Sequence, residues 1–160
     1  MPDHDYDQLL RRAIQVSADA RAHGNHPFGA ILVAPDGSIA LEAENAVVTE
    51  NDVTDHAETN LVRKASRTIP HDRLGDYTLV TSYEPCTMCS GAIFWSGIGR
   101  VVYGLSETGL LSLSGDHPGN PTLDHPCRLV LAAGGRPIDV IGPLLEQEAA
   151  VPHTGFWGGE

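Results

Sequence analysis

Between two β-rich runs, residues 77–82 and 100–105, lies a stretch, residues 85–99, that holds no Asp, Glu, Lys or Arg. It is too short, and with its Cys, Ser and Gly too polar, to span a bilayer, so it reads as a buried helix over residues 86–96. Strands that alternate with helices at such short intervals imply crossover connections and some parallel pairing. Upstream, Leu9, Leu10, Ala13, Ile14, Val16 and Ala20 recur at helical spacing over residues 6–22, and Gly24 stops the pattern. Residues 28–34 and 39–43 are β-rich and flank the turn sequence Pro35-Asp36-Gly37-Ser38, which makes an antiparallel hairpin. A polar loop, residues 45–55, leads into a helix at 56–66, with Ala57, Leu61, Val62 and Ala65 on one face and Arg63, Lys64 and Arg67 on the other. Downstream, the Gly- and Pro-rich residues 106–126 read as one long ordered loop. A short helix at 127–133, a strand at 138–141 and a helix at 144–150 follow. Antiparallel and parallel pairing together predict a mixed sheet of about five strands with helices on both faces. Length and the lack of repeats or linkers predict a single domain, residues 1–160.

The charge balance narrows the partners. Ten Lys and Arg stand against 21 Asp and Glu, a formal net charge of -11, which repels polyphosphates; the densest basic cluster is only Arg63, Lys64 and Arg67. Nucleic acid and membrane are therefore not expected as partners. The acidic start, Met1 to Asp7, lacks the basic and apolar regions of an export signal, so a cytoplasmic protein is expected. There, three cysteines bind metal or pack more readily than they form disulfides.

Two of these cysteines, Cys86 and Cys89, lie on one face of the predicted buried helix at i and i+3. With His56 they supply two thiolates and an imidazole, three tetrahedral zinc ligands that leave a fourth position open for catalysis. Glu58 is about 200° round an ideal helix from His56, which argues against a shared site along a helix flank. The objection fails if the metal sits off the helix ends, where cap and first-turn side chains both reach it. Glu58 then stands beside a zinc-activated water as a proton carrier. Other readings of the same residues are a capping box of Asp55 with Glu58, a redox pair at Cys86 and Cys89, and a non-catalytic structural zinc module closed by Cys127 or another histidine. Asp116, in the long loop, is either a solvated loop charge or a carboxylate that accepts N–H groups of a ligand. Phe156 and Trp157, an aromatic pair between glycines in the tail, are placed to cover the site.

The chain resembles the cytidine deaminase-like zinc deaminases. The resemblance rests on Pro27-Phe28-Gly29-Ala30, Asn45, Asn51-Asp52, Thr54, His56-Ala57-Glu58, residues 84–93 with Pro85-Cys86-Thr87-Met88-Cys89, and Val101-Val102-Tyr103-Gly104, in the family's order over about residues 8 to 105. It is nearest to the branch of bacterial guanine deaminases and tRNA adenosine deaminases. The resemblance implies a three-layer α/β/α fold and a Zn2+ cofactor held by His56, Cys86 and Cys89, with Glu58 as the catalytic proton shuttle. It also implies substrate contacts at Asn45, Phe28 and Trp95 and at backbone around Ala57 and Glu84, and a homodimer. The expected activity is hydrolytic deamination of a free nucleobase, guanine- or cytosine-type, with a nucleoside or s-triazine analogue also accommodated. The alternative within the family, a tRNA-specific adenosine deaminase, sits poorly with the charge and with a C-terminus that lacks the basic helix of the tRNA enzymes.

Overall fold

Asp5 opens the first helix, α1 (Tyr6–Ala22), by accepting the Gln8 N–H on its side chain, and Gly24, at φ +92, ends the turn beyond it. The computed structural model describes residues 4–158; Met1 to Asp3 of the acidic start, and Gly159 and Glu160 of the tail, lie outside them. Leu10, Ala13, Val16 and Ala20 form the buried stripe of α1, close to the predicted one. The helix sits directly on the first residue of β1 (Gly29–Val33). A Cβ at Gly29 would lie 2.5 Å from the Ser17 nitrogen and 2.7 Å from the Ala13 oxygen, so only glycine permits this approach.

Five strands form one sheet in the order β2-β1-β3-β4-β5, with β2 at Ile39–Glu44, β3 at Thr78–Tyr83, β4 at Arg100–Leu105 and β5 at Asp139–Ile141. The hairpin and the β1–β3 pair are antiparallel, whereas β3–β4 and β4–β5 are parallel. Side chains alternate across it as pleating requires. Ala30, Leu32, Leu79, Val101 and Tyr103 face one core with α3 (Ala57–Thr68), α4 (Thr87–Ser96) and α6 (Cys127–Ala132). Ile31, Val33, Val80 and Val102 face the other, against α1. This is the expected three-layer α/β/α arrangement with a mixed sheet, and each fully buried Leu or Ile in it stabilises the fold by roughly 1.5–3 kcal/mol. No helix among the described residues is long and apolar enough to cross a membrane.

Three segments depart from the sequence reading. Residues 45–55 contain a one-turn helix, α2 (Val47–Glu50), stopped by Asn51 in the left-handed region at φ 51. The long loop begins as α5 (Glu107–Ser114), because the Ser106 side chain caps it by accepting the Gly109 N–H and Leu110 buries itself beneath. The last helix, α7 (Glu146–Ala150), starts later than expected, since Leu145 takes a left-handed conformation at φ 49. A 3-10 turn at Val151–His153 then carries the chain into the tail.

Candidate active site

His56 is the N-cap of α3 and makes no side-chain capping bond, which leaves its imidazole free to point off the helix end. Cys86 is the N-cap of α4, and its sulfur accepts the Cys89 N–H at 3.5 Å. His56 Nδ1 stands 3.6 Å from Cys86 Sγ and 3.5 Å from Cys89 Sγ. A tetrahedral zinc with Zn–S of ~2.3 Å and Zn–N of ~2.0 Å spaces its sulfur and nitrogen ligands roughly 3.5 Å apart, so the set fits zinc in chemistry and in spacing. Among the described residues this is the only group of at least three His, Cys, Asp or Glu ligand atoms close enough to hold a metal. The Cys86 thiol is pulled down by the hydrogen bond from Cys89 and by His56, whereas Cys89 is pushed up, so the protein's own electrostatics prepare a thiolate at the α4 N-terminus. The Thr59 hydroxyl lies 3.2 Å from Cys89 Sγ and steadies the second sulfur.

Glu58 does not form the capping box. Asp55 instead pairs with Arg63 at 3.2 Å, and the Glu58 carboxylate accepts the Thr81 hydroxyl of β3 at 2.8 Å. It is only 4% exposed, and burial pushes its pKa up, towards the protonated form, against the pull of His56.

These groups open onto a cavity of about 660 Å3 that Phe28, Asn45, His56, Glu58 and Cys86 all line, and no Lys or Arg does. Asn45 Oδ1 accepts the Val47 N–H at 3.1 Å, which fixes the amide and leaves its N–H groups to donate. The remaining residues expected at the substrate lie elsewhere. Trp95 is 79% exposed, because α4 docks through Cys89, Ser90 and Ile93, and Trp95 lies roughly 190° round the helix from the middle of the arc those three span. Glu84 is buried and accepts the backbone N–H of Glu107 at 3.1 Å and of Cys127 at 3.0 Å; it fastens the starts of α5 and α6 and does not line the cavity. Asp116 is exposed in its loop, and the Ala57 side chain is in the core, which leaves only its backbone for any contact.

Phe156 and Trp157 stand behind the cavity wall, not over it. Trp157 is 4% exposed in a cluster with Tyr83 and Leu105, and Phe156 rests on the Arg21 guanidinium, which also holds the carbonyls of Pro152 and Thr154. Trp157 Nε1 donates to His153 Nδ1 at 3.0 Å, so neutral His153 carries its proton on Nε2, a buried atom without a partner among the described residues. Burial, with the Arg21 charge, pushes its pKa down to about 4. The unfolded chain, with a His pKa near 6.5, therefore binds a proton that the folded one refuses. The stabilisation is complete above pH ~6.5 and drains away as pH falls towards 4, by about 3 kcal/mol. Thermal unfolding is expected to show a steeper loss of Tm over this range in wild type than in His153→Phe; equal slopes would remove His153 from the acid response.

The wall also contains residues that the sequence reading passed over: His26, Tyr83, Met88, Glu107 and the segment 119–123. Glu107 follows the carboxyl end of β4, where ligands gather in open α/β sheets, and that position was the available signal. Burial pushes its carboxyl up to about 6, against the opposing pull of the Leu123 backbone.

Comparison with known proteins places this geometry. Residues 3–105 match the cytidine and deoxycytidylate deaminase zinc-binding region. The chain is 47% identical over 150 residues to a probable cytosine deaminase of Schizosaccharomyces pombe, covering 94% of this chain and 91% of that protein. It is 40% identical over 105 residues to a guanine deaminase of Bacillus subtilis, covering 65% and 67%. A structure solved in work on A-to-I editing by tRNA:A34 deaminases at the wobble position superposes with a TM-score of 0.71 at 28% identity, over 91% of this chain and 99% of that one.

Proposed function

Since the chain belongs to the cytidine and deoxycytidylate deaminase zinc-binding family and is a zinc-dependent hydrolytic deaminase, we propose that its substrate is a free nucleobase of the cytosine type. The observation that carries this reading is the cavity beside Glu58, which is apolar over most of its wall and has no cationic side chain to hold a phosphate. The S. pombe relative supports cytosine over guanine, because that likeness covers 94% of the chain, while the guanine deaminase covers only 65% of it. A tRNA substrate would need phosphate contacts, and the net charge of -11 opposes them.

His56, Cys86 and Cys89 would hold the zinc, which when bound supplies Lewis-acid activation of water near neutral pH. Glu58, fixed by Thr81, takes a proton from the attacking water and passes it to the ring nitrogen beside the amine-bearing carbon. It then takes the proton of the new hydroxyl and delivers it to the amine, which leaves as ammonia while the carbon becomes a carbonyl. Asn45 donates its amide N–H to a ring carbonyl, and Phe28 forms the apolar wall. Burial of Glu58 favours the protonated state that both deliveries need.

We further read the protein as a cytoplasmic homodimer, with exposed Trp95 on α4 and Leu129 on α6, 79% and 59% exposed, as the contact face. Ammonia release from cytosine, isocytosine, guanine, adenine, their nucleosides, ammeline and a tRNA transcript tests the substrate, with zinc and sedimentation measured on the same sample. Cytosine is expected to react fastest, from a two-chain particle. Inosine formed in tRNA would overturn the substrate class, and a fully zinc-loaded protein inert towards every compound would favour a structural zinc module.

A further inference from the structure

His26 is held rigidly at the cavity. Asn25 before it accepts the N–H groups of Val48 and Thr49 at 3.2 and 3.0 Å, Pro27 follows it, and the carbonyl of His26 itself accepts the Phe28 N–H at 2.9 Å. The imidazole lies edge-on to the rings of Phe156 and Trp157, with centroids 5.9 and 5.5 Å away, and it lines the cavity beside Phe28 and Asn45. Neither ring nitrogen has a hydrogen-bond partner among the described residues. Burial and the nearby His56 hold the ring neutral, so one nitrogen carries a proton and the other a lone pair.

Two residues that line the same cavity thus present different groups. Asn45, fixed by the bond its oxygen accepts from Val47, offers a donor through its amide N–H; neutral His26 offers an acceptor. A cytosine-type base carries a ring carbonyl directly beside a ring N–H, the complement of that pair. We propose that His26 is a specificity-determining residue that accepts this ring N–H and so restricts the site to free bases, an inference that rests on the free-base reading above. In a nucleoside the same nitrogen bears the sugar and has no proton. The imidazole lone pair would then face the substituent with neither water nor a donor, and sites built to hydrogen-bond a group reject analogues that lack it.

The experiment measures kcat/KM for cytosine and 1-methylcytosine, the smallest substrate blocked at that nitrogen, on zinc-loaded wild type, His26→Leu and His26→Gln. Competitive inhibition reports on 1-methylcytosine where its turnover is too slow to follow. Wild type is expected to prefer cytosine by at least about a hundredfold. His26→Leu should lose most of its rate on cytosine and little on 1-methylcytosine, so that the preference falls at least tenfold with zinc content and Tm kept. His26→Gln, which retains an acceptor, should hold the preference. The same proportional loss on both substrates in His26→Leu, or an unchanged cytosine rate, overturns the assignment. If His26→Leu does not fold, loss of the preference in His26→Gln overturns it alone. Wild type that releases ammonia from both compounds equally removes the restriction and leaves deamination standing, whereas wild type inert towards cytosine removes the cytosine-type reading itself.

Discussion

Replacing Cys86 or His56 with Ala is expected to empty the protein of zinc and abolish ammonia release in the same step. Three ligand atoms meet at the ends of α3 and α4, and no fourth His, Cys, Asp or Glu joins them among the described residues. Cys127, the fourth ligand that a structural zinc module would have used, is fully buried on α6 with its thiol pushed up to about 12 by burial and by Glu84. It therefore stays a neutral packing group, and Cys127→Ala is expected to keep its metal. Removing one of three ligands leaves two, too few to hold zinc against water. Stability should fall with it: zinc present at 100 times its dissociation constant contributes about 2.7 kcal/mol to the folded state, which at this chain length is a drop in Tm of roughly 5–10 °C. Metal analysis, ammonia release and thermal unfolding on the same variants check this. Full activity in zinc-free protein would end the metal assignment, and a Cys127→Ala variant that loses zinc would restore the structural module.

The parts of this arrangement that were legible in the sequence are those written in local periodicity. The alternation of Ala30 and Leu32 against Ile31 and Val33 follows from the pleat, and the stripe of α1 follows from its 3.6-residue repeat. The spacing of Cys86 and Cys89, with His56 thirty residues earlier, could place them together because caps at two helix ends reach a common point. Trp95 shows where such reading stops. Its helix is apolar almost all round, so nothing in its own sequence fixes which face turns inward; docking on α3 through Cys89 and Ile93 decides that. Glu84 was illegible for a related reason, since its partners are backbone N–H groups 23 and 43 residues further on, and no side-chain pattern marks them. The cavity wall is assembled from the turn before β1, the end of β2, the α3 and α4 caps and segment 119–123, and a composite of that kind exists only after folding. Of the residues expected at the substrate, Phe28 and Asn45, which adjoin strand ends, line the cavity, and so do His26 and Glu107, which no motif singled out.

Glu58→Gln is expected to keep zinc, fold and base binding while kcat falls about a thousandfold, equivalent to about 4 kcal/mol of lost transition-state stabilisation. The amide has the volume of the carboxyl and still offers an oxygen to the Thr81 hydroxyl, now 2.8 Å from the carboxylate. Stability should change little or rise, because the substitution removes an ionisable group that burial already disfavours in its charged form. What the amide cannot do is accept and release a proton, and the proposed reaction needs this twice, at the ring nitrogen and at the departing amine. KM should therefore stay near its wild-type value while kcat falls, the pattern of an interaction that acts in the transition state and not in substrate binding. A rise in KM at constant kcat would instead make Glu58 a binding group. A variant turning over within tenfold of wild type would require the proton to travel by another route, and the remaining candidates on the cavity wall are His26, held neutral, and Glu107, with its carboxyl near 6. Combining Glu58→Gln with Glu107→Gln would separate those routes, since a residual rate lost only in the double variant would assign the proton to Glu107.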